Sequence, residues 1–218
     1  MLSFYDSVIL GYSVIIAVVI GLIRFRKIMD SYQPFIFILC LDFLNLTLSV
    51  ILSETIRNNA VNSNIYVLFE SLLYLWLFNN WGVFYKKSTL FYSLVALLIA
   101  VWIYDNLIRN HLTTTNSLFR IVLSFLLIFL SIEQINKLIA NARKNLLFNS
   151  TFLICCGVII YFSYKATIEV FYLIRLKAST SFYINMSTIM VFVNCFVNLI
   201  FAWAVLWIPK KQKSTLLL

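Results

Sequence analysis

Long uncharged apolar runs alternate with short polar breaks along this chain. Residues 8–23 and 90–104 hold no charged side chain, and runs of that length suit a helix crossing a bilayer better than the amphipathic helix of a soluble core. A crossing helix needs about 20 residues at ~1.5 Å per residue to span roughly 30 Å of hydrocarbon. Seven segments fit, near 4–23, 34–53, 64–84, 88–104, 118–134, 151–174 and 183–208. The fourth and fifth are the shortest. The pattern therefore predicts an all-α, polytopic membrane protein: a seven-transmembrane-helix bundle in which residues 1–208 form one domain and 209–218 a short basic cytoplasmic tail.

The polar stretches 54–64 and 105–117 are only loop-sized, so chemistry is expected in or against the lipid bilayer. The first segment has no basic residue before it and Arg24, Arg26 and Lys27 soon after it. That order is the reverse of a cleavable signal peptide and predicts a retained helix. Pro34 and Pro209 lie near segment ends, and the four glycines form no G-x-x-x-G pair. Continuous spans are expected, unlike the broken helices of many secondary transporters.

Orientation is read from the basic residues of short loops, which favour the cytoplasmic side. Alternate loops gather Arg24, Arg26, Lys27, Lys86, Lys87, Lys137, Arg143, Lys144, Lys210, Lys211 and Lys213 on one side. The other side has Arg57, Arg109, Arg175 and Lys177. The bias predicts the C-terminus inside and, with seven helices, the N-terminus outside.

Composition agrees with that solvent. The chain is 62% hydrophobic and 11% charged, where a soluble domain carries about a quarter charged residues. The net charge of +9 is scattered over short loops rather than gathered beside exposed aromatics, so nucleic acid is not an expected partner. Cys40, Cys155, Cys156 and Cys195 all sit in apolar segments without a C-x-x-C pair and read as small core residues.

The informative residues are charges inside the spans, where each costs at least about 2.5 to 3.5 kcal/mol without a partner or a wet cavity. Asp42 falls in the second segment, Glu70 in the third, Lys165 and Glu169 in the sixth, and Arg120 near the outer end of the fifth. Helical spacing places them on polar stripes. The stripes are Asp42, Asn45, Ser49 and Ser53; Tyr66, Glu70 and Tyr74; Tyr161, Lys165, Glu169 and Tyr172; and Tyr183, Ser187, Asn194 and Asn198. The nearly apolar first and fourth helices are expected at the lipid-facing rim. With the N-terminus outside, Glu70, Arg120, Lys165 and Glu169 fall in the outer half, and Asp42 and Asn194 near the middle.

Two readings of this seam stand side by side. In one the charges are structural: Lys165 and Glu169, four apart, pair with each other, and Asn and Ser join helices by hydrogen bonds. In the other, Asp42, Asn45, Tyr66, Glu70, Tyr74, Arg120, Tyr161, Lys165, Glu169, Asn194 and Asn198 line a ligand or ion site. A carboxylate-only site for a hard cation would need Asp42, Glu70 and Glu169 to converge, with Lys165 competing.

Other chemistries lack their parts. His111 is the sole histidine, so a clustered-His zinc site has nothing to build on. No Gly-rich phosphate loop or Ser-His-Asp set occurs. The final segment has no lysine for a retinal-type Schiff base. The sequons at Asn45, Asn149 and Asn185 lie in helices or an inner loop, which argues against glycosylation. No catalytic residue, metal or cofactor is expected.

The run Asn64-Ile65-Tyr66-Val67-Leu68-Phe69-Glu70, after a short polar loop and two apolar helices, resembles a pattern in small uncharacterised seven-helix membrane proteins of Bacteroidota bacteria. The likeness covers one helix strongly and the rest through helix count and length. The chain departs from it at Val67 and Phe69, where more polar or proline-like residues are expected. The resemblance implies a bacterial inner membrane and brings no activity with it.

The function expected first is a small receptor, sensor or partner-binding membrane subunit, in which an outward polar cavity takes a small-molecule or lipid ligand. Its basic inner loops would meet a membrane or cytoplasmic protein partner. The alternatives are a transporter or proton-coupled carrier using Asp42 and Glu70 as titrating groups, and an intramembrane lipid-modifying enzyme using the same carboxylates as acid and base.

Overall fold

The computed structural model describes residues 4–85, 87–109, 112–114, 116–141, 146–174 and 179–211. Lys86, His111, Arg143, Lys144, Arg175, Lys177 and Lys213, which entered the sequence reading, lie outside them. Among the described residues the helices are α1 (Phe4–Gly11), α2 (Val14–Arg24), α3 (Gln33–Thr55), α4 (Ala60–Asn80), α5 (Ser88–Ile103), α6 (Ser117–Asn141), α7 (Ser150–Leu173) and α8 (Thr180–Leu206). They make seven spans long and apolar enough to cross a membrane, the first built from α1 and α2.

The helix ends follow local chemistry. Pro34 opens α3, where its missing N–H costs nothing. The side chains of Asn149 and Ser179 cap α7 and α8 by accepting from Phe152 N and Phe182 N, each at 3.2 Å. Gly82, just past α4, takes a φ of 75° that its lack of a Cβ permits.

Two boundaries differ from expectation. The fifth segment does not stop at Gln134: α6 runs 25 residues to Asn141, so it is not among the shortest. Lys137 counts with a loop in the sequence pattern, yet Glu133, Gln134 and Lys137 are all good helix formers. Glu133 and Lys137 pair across one turn at 3.3 Å. The fourth span continues past Tyr104 through a π-helical turn, Tyr104–Ile108.

The first span is interrupted, against the expectation of continuous helices. At Tyr12 and Ser13 the backbone tightens, with Ser13 N donating to Leu10 O at 3.2 Å and Ile16 N to Ser13 O at 3.3 Å. Polar bonds fix the break in place: Asn198 Nδ2 donates to Ser13 Oγ at 2.9 Å, and Tyr12 OH to Thr47 Oγ1 at 3.5 Å.

Packing joins α2 to α3, α3 to α4, α4 to α6, α6 to α7, α7 to α8, and α8 back to both α1 and α2. Six spans thus close a ring, while α5 lies outside it against α4 and α6. One end of the bundle holds the turn after α3 and the segment before α6, and is called the Asn64 end here. The Arg24 end carries Arg24, Arg26, Lys27, Lys87, Lys210 and Lys211. There Arg24 caps α8, its Nη1 donating to Val205 O at 2.7 Å and to Leu206 O, and its Nη2 to Ile208 O at 3.1 Å. Lys211 Nζ meets Asp30 Oδ1 at 2.5 Å.

The distribution of polarity is inverted relative to a water-soluble protein. Ile9, Ile23, Leu44, Phe69, Leu107 and Phe129 are more than half exposed, whereas Glu70, Asp105, Arg120, Lys165 and Glu169 are buried. Lipid covers such an apolar exterior without cost, and the charges are placed where protein can satisfy them.

Candidate charged cavity

The interior charges come together because each lies on a helix face turned toward the ring's centre. On α4, Tyr66, Glu70 and Tyr74 recur every fourth residue, and on α7 so do Tyr161, Lys165 and Glu169. Each set forms one stripe. A cavity of about 330 Å³ lies between these stripes. All eleven residues singled out above, from Asp42 and Asn45 to Asn194 and Asn198, line it, with Arg120 entering from α6. Of the wider stripes, Ser49 lines it as well; Ser53, Tyr172, Tyr183 and Ser187 do not.

Charge pairing differs from the sequence expectation. Lys165 does not pair with Glu169 along its own helix. Its Nζ lies 3.5 Å from Glu70 Oε2 on α4, while Arg120 Nε lies 3.7 Å from Glu169 Oε1. Both pairs therefore tie different helices. The four residues are buried, at 2% exposure for Glu70, 7% for Lys165 and Glu169, and 8% for Arg120. The Lys165 ammonium also stands 5.1 Å from the ring centres of Tyr161 and Phe162, a favourable cation-π distance.

These separations exceed the 2.7–2.9 Å of a charge-assisted hydrogen bond. Glu70 Oε2 and Glu169 Oε2 are buried without a hydrogen-bond partner. Arg120, by contrast, is held firmly. Its Nε donates to Asn116 Oδ1 at 2.8 Å, and its Nη2 donates to Ser63 Oγ at 2.8 Å and Asn64 Oδ1 at 3.3 Å. Asn64 is the hub of this end: its Nδ2 donates to Leu112 O at 3.1 Å and Thr114 O at 2.8 Å, and its own carbonyl accepts from Trp102 Nε1 at 2.8 Å. The segment before α6 is strapped down beside the guanidinium.

Asp42 is held differently, as acceptor of the Tyr66 hydroxyl. Asn45 Oδ1 accepts from Asn62 Nδ2 at 2.9 Å. Three carboxylates share the cavity, yet among the described residues no group of three such ligands can hold a metal ion. Glu70 and Glu169 face cations instead.

Toward the Arg24 end the cavity meets an apolar floor. Phe35, Leu39, Phe78, Val158 and Phe162 are fully buried, and Phe201 is 4% exposed. Phe201 meets Phe35 edge-on at 5.2 Å, and Tyr74 meets Phe162 edge-on at 5.7 Å.

Sequence reasoning missed several contributors. Asn116 stands four residues before Arg120, a spacing that signals a helical pair, but the loop boundary hid it. Ser63 reads as part of a loop and Asn64 as a helix start rather than as ligands of a guanidinium. Gly11 and Val14 of the first span line the cavity, which corrects the assignment of that helix to the rim. Its polar break, Tyr12 and Ser13, is the signal that marked it. The fourth span contributes no lining residue, in keeping with its place outside the ring.

Among the described residues, fold and site together define an all-α bundle of seven membrane-length spans around a buried charged cavity. No protein-family model, curated protein or solved structure matches the chain.

Proposed function

We propose that this protein is a small receptor, sensor or partner-binding subunit of a bacterial inner membrane, with its N-terminus outside, its C-terminus inside, and a cavity that takes a small polar ligand from the outer side. The observation that carries the reading is the cavity's polarity. Buried oxygens of Glu70 and Glu169 without a hydrogen bond, beside the loosely paired Lys165 ammonium, line it on the Asn64 side, and packed aromatic rings close it on the Arg24 side. Buried polar groups demand partners, and a cavity of this size falls at the lower end of small-molecule sites. The orientation rests on the basic residues of the Arg24 end, and the inner-membrane setting on the resemblance of the Asn64 to Glu70 run to Bacteroidota membrane proteins. The basic end would meet the protein partner.

Thermal unfolding in lipid nanodiscs against a panel of polar metabolites tests the binding. At least one solute should raise the Tm of the native chain and lose its effect in the Glu70→Gln/Lys165→Gln variant. Identical melts throughout would end the proposal. Orientation is checked in intact cells with a membrane-impermeant maleimide, which should label Thr113→Cys and spare Tyr85→Cys. Both positions are exposed and at opposite ends, and the four native cysteines are buried or half-buried.

A carrier is the second reading, favoured by the break in the first span at Tyr12 and Ser13 beside the cavity, since transporter sites gather at interrupted helices. It requires the floor around Phe201 to open. Solute flux into proteoliposomes that responds to a pH gradient and is lost in Asp42→Asn would support it, and binding without flux would exclude it.

A further inference from the structure

The wall of the cavity is divided in sign in a way that selects among ligands. Glu70 and Lys165 meet at 3.5 Å and Arg120 and Glu169 at 3.7 Å, so each cation has a carboxylate beside it. Glu70 Oε2 and Glu169 Oε2 are buried without a hydrogen-bond partner, and the Lys165 ammonium stands 3.5 Å from the first, beyond a charge-assisted hydrogen bond. An ammonium carries three donors and a carboxylate accepts at two oxygens, so each loose pair leaves donors and acceptors of full charge facing the same small space. The Arg120 guanidinium spends its Nε and Nη2 on Asn116, Ser63 and Asn64. That leaves Nη1 uncommitted on a head fixed in position.

A lone anion placed here would meet Lys165 and Arg120 but also Glu70, Glu169 and Asp42. A lone cation would meet the carboxylates and be repelled by two cations. An apolar molecule would leave the loosely paired Glu70, Lys165 and Glu169 desolvated without hydrogen bonds, which is costly. A molecule carrying both signs suits every pair at once. Its ammonium supplies the donors that Glu70 and Glu169 lack, and its anionic group accepts from Lys165 and Arg120. The exchange replaces two long ionic contacts by charge-assisted hydrogen bonds. The volume of about 330 Å³ suits a small molecule or a headgroup rather than a nucleotide or a whole lipid.

We propose that the cavity binds a small zwitterion with an ammonium and an anionic group a few bonds apart, its ammonium on Glu70 and Glu169 and its anion on Lys165 and Arg120. This rests on the ligand-binding reading above and names its ligand class. Two sources carry that chemistry: a free amino acid, and the phosphoethanolamine head of a membrane lipid.

The test uses the full chain in phosphatidylglycerol nanodiscs, whose lipid lacks an ammonium. Glycine, L-alanine, L-serine and L-glutamine are titrated calorimetrically beside ethylamine and propionate, the two halves of L-alanine. A second arm replaces phosphatidylglycerol by phosphatidylethanolamine and reads the Tm. At least one amino acid should bind about tenfold more tightly than either half-molecule, and the Glu70→Gln/Lys165→Gln variant should lose that advantage. If the amino acids fail but phosphatidylethanolamine stabilises the native chain and not the variant, the lipid head is the source and the proposal stands. Should the double variant not fold, the exchange Glu70→Lys/Lys165→Glu keeps both charges and should weaken binding by a similar factor. The proposal is overturned if a half-molecule binds as well as the whole, or if neither arm shows an effect. Stabilisation by another polar solute through the same residues would then reject the zwitterion and keep the cavity as a binding site; no stabilisation by any solute would reject both.

Discussion

Glu70 on α4 and Lys165 on α7 face each other across the ring, with 3.5 Å between Oε2 and Nζ and both side chains more than nine-tenths buried. The relationship spans two helices that are not neighbours in sequence, and it sets the energetic cost of disturbing the site. Removing one member of a buried ion pair leaves its partner charged and uncompensated, at a cost of roughly 3 kcal/mol or more, whereas removing both is far less damaging. Lys165→Met alone should therefore lower the Tm more than Glu70→Gln/Lys165→Met. A double-mutant cycle by thermal unfolding in nanodiscs should show a coupling of about 1–3 kcal/mol. Additive losses would mean that the two charges do not interact.

The architecture was legible because bilayer-length apolar runs leave little choice: the backbone must satisfy itself within each span, and a helix is how a single segment does so. The eleven lining residues were legible for a related reason. A charge or amide inside such a run must turn inward, so the four-residue spacing of Glu70 from Tyr66 and of Lys165 from Glu169 already fixed which face they share. Partner choice was not legible. Lys165 and Glu169 are close in sequence, but the ring sets Lys165 against α4 and Glu169 against α6, and only the order of helices around the ring decides that. The role of the first span was hidden because two modest polar residues, Tyr12 and Ser13, barely alter its hydropathy. Asp105, read as a loop residue, is fully buried because the fourth span continues through a π-helical turn.

Gly157 on α7 tests the floor of the cavity. A Cβ built on it would collide with Phe201 Cε1, and Phe201 is already held edge-on by Phe35 at 5.2 Å. The small residue lets α7 and α8 approach closely, a common device between membrane helices. Gly157→Ala should destabilise the bundle by roughly 1–3 kcal/mol through overpacking. Adding Phe201→Leu should recover part of the loss in the same thermal assay, and no recovery would place the strain elsewhere.

Arg24 tests the opposite end. Its guanidinium donates to the carbonyls of Val205, Leu206 and Ile208, at and just past the C-terminus of α8, where helix carbonyls run out of N–H donors one turn ahead. The positive charge also complements the helix dipole there. Arg24→Gln should cost about 1–2 kcal/mol and raise amide exchange after Leu206, where Met29 N donates to Pro209 O at 3.0 Å and Lys211 N to Lys27 O at 2.8 Å. Arg24→Lys keeps the charge without the fork and should fall between the two. Equal exchange in all three proteins would show that the segment is held by its backbone bonds alone.

Asp105 links the rim helix to the site without touching the cavity. Its Oδ2 accepts from the backbone N–H of Phe119 at 3.0 Å and its Oδ1 pairs with Arg109 at 3.3 Å, so a carboxylate from the fourth span caps the first turn of α6. Phe119 directly precedes Arg120, and Arg120 N donates to Asn116 O at 3.3 Å. Loosening this turn frees the guanidinium that the cavity depends on. Asp105→Ala should cost about 1–2 kcal/mol, as the loss of a helix cap does. Asp105→Asn, which retains an oxygen for Phe119 N, should cost less. If the cavity binds solute, Asp105→Ala should also weaken that binding, although the substitution lies outside the cavity wall. Unchanged affinity with a lowered Tm would confine Asp105 to holding α6, with Ser63, Asn64 and Asn116 sufficient to keep Arg120 in place.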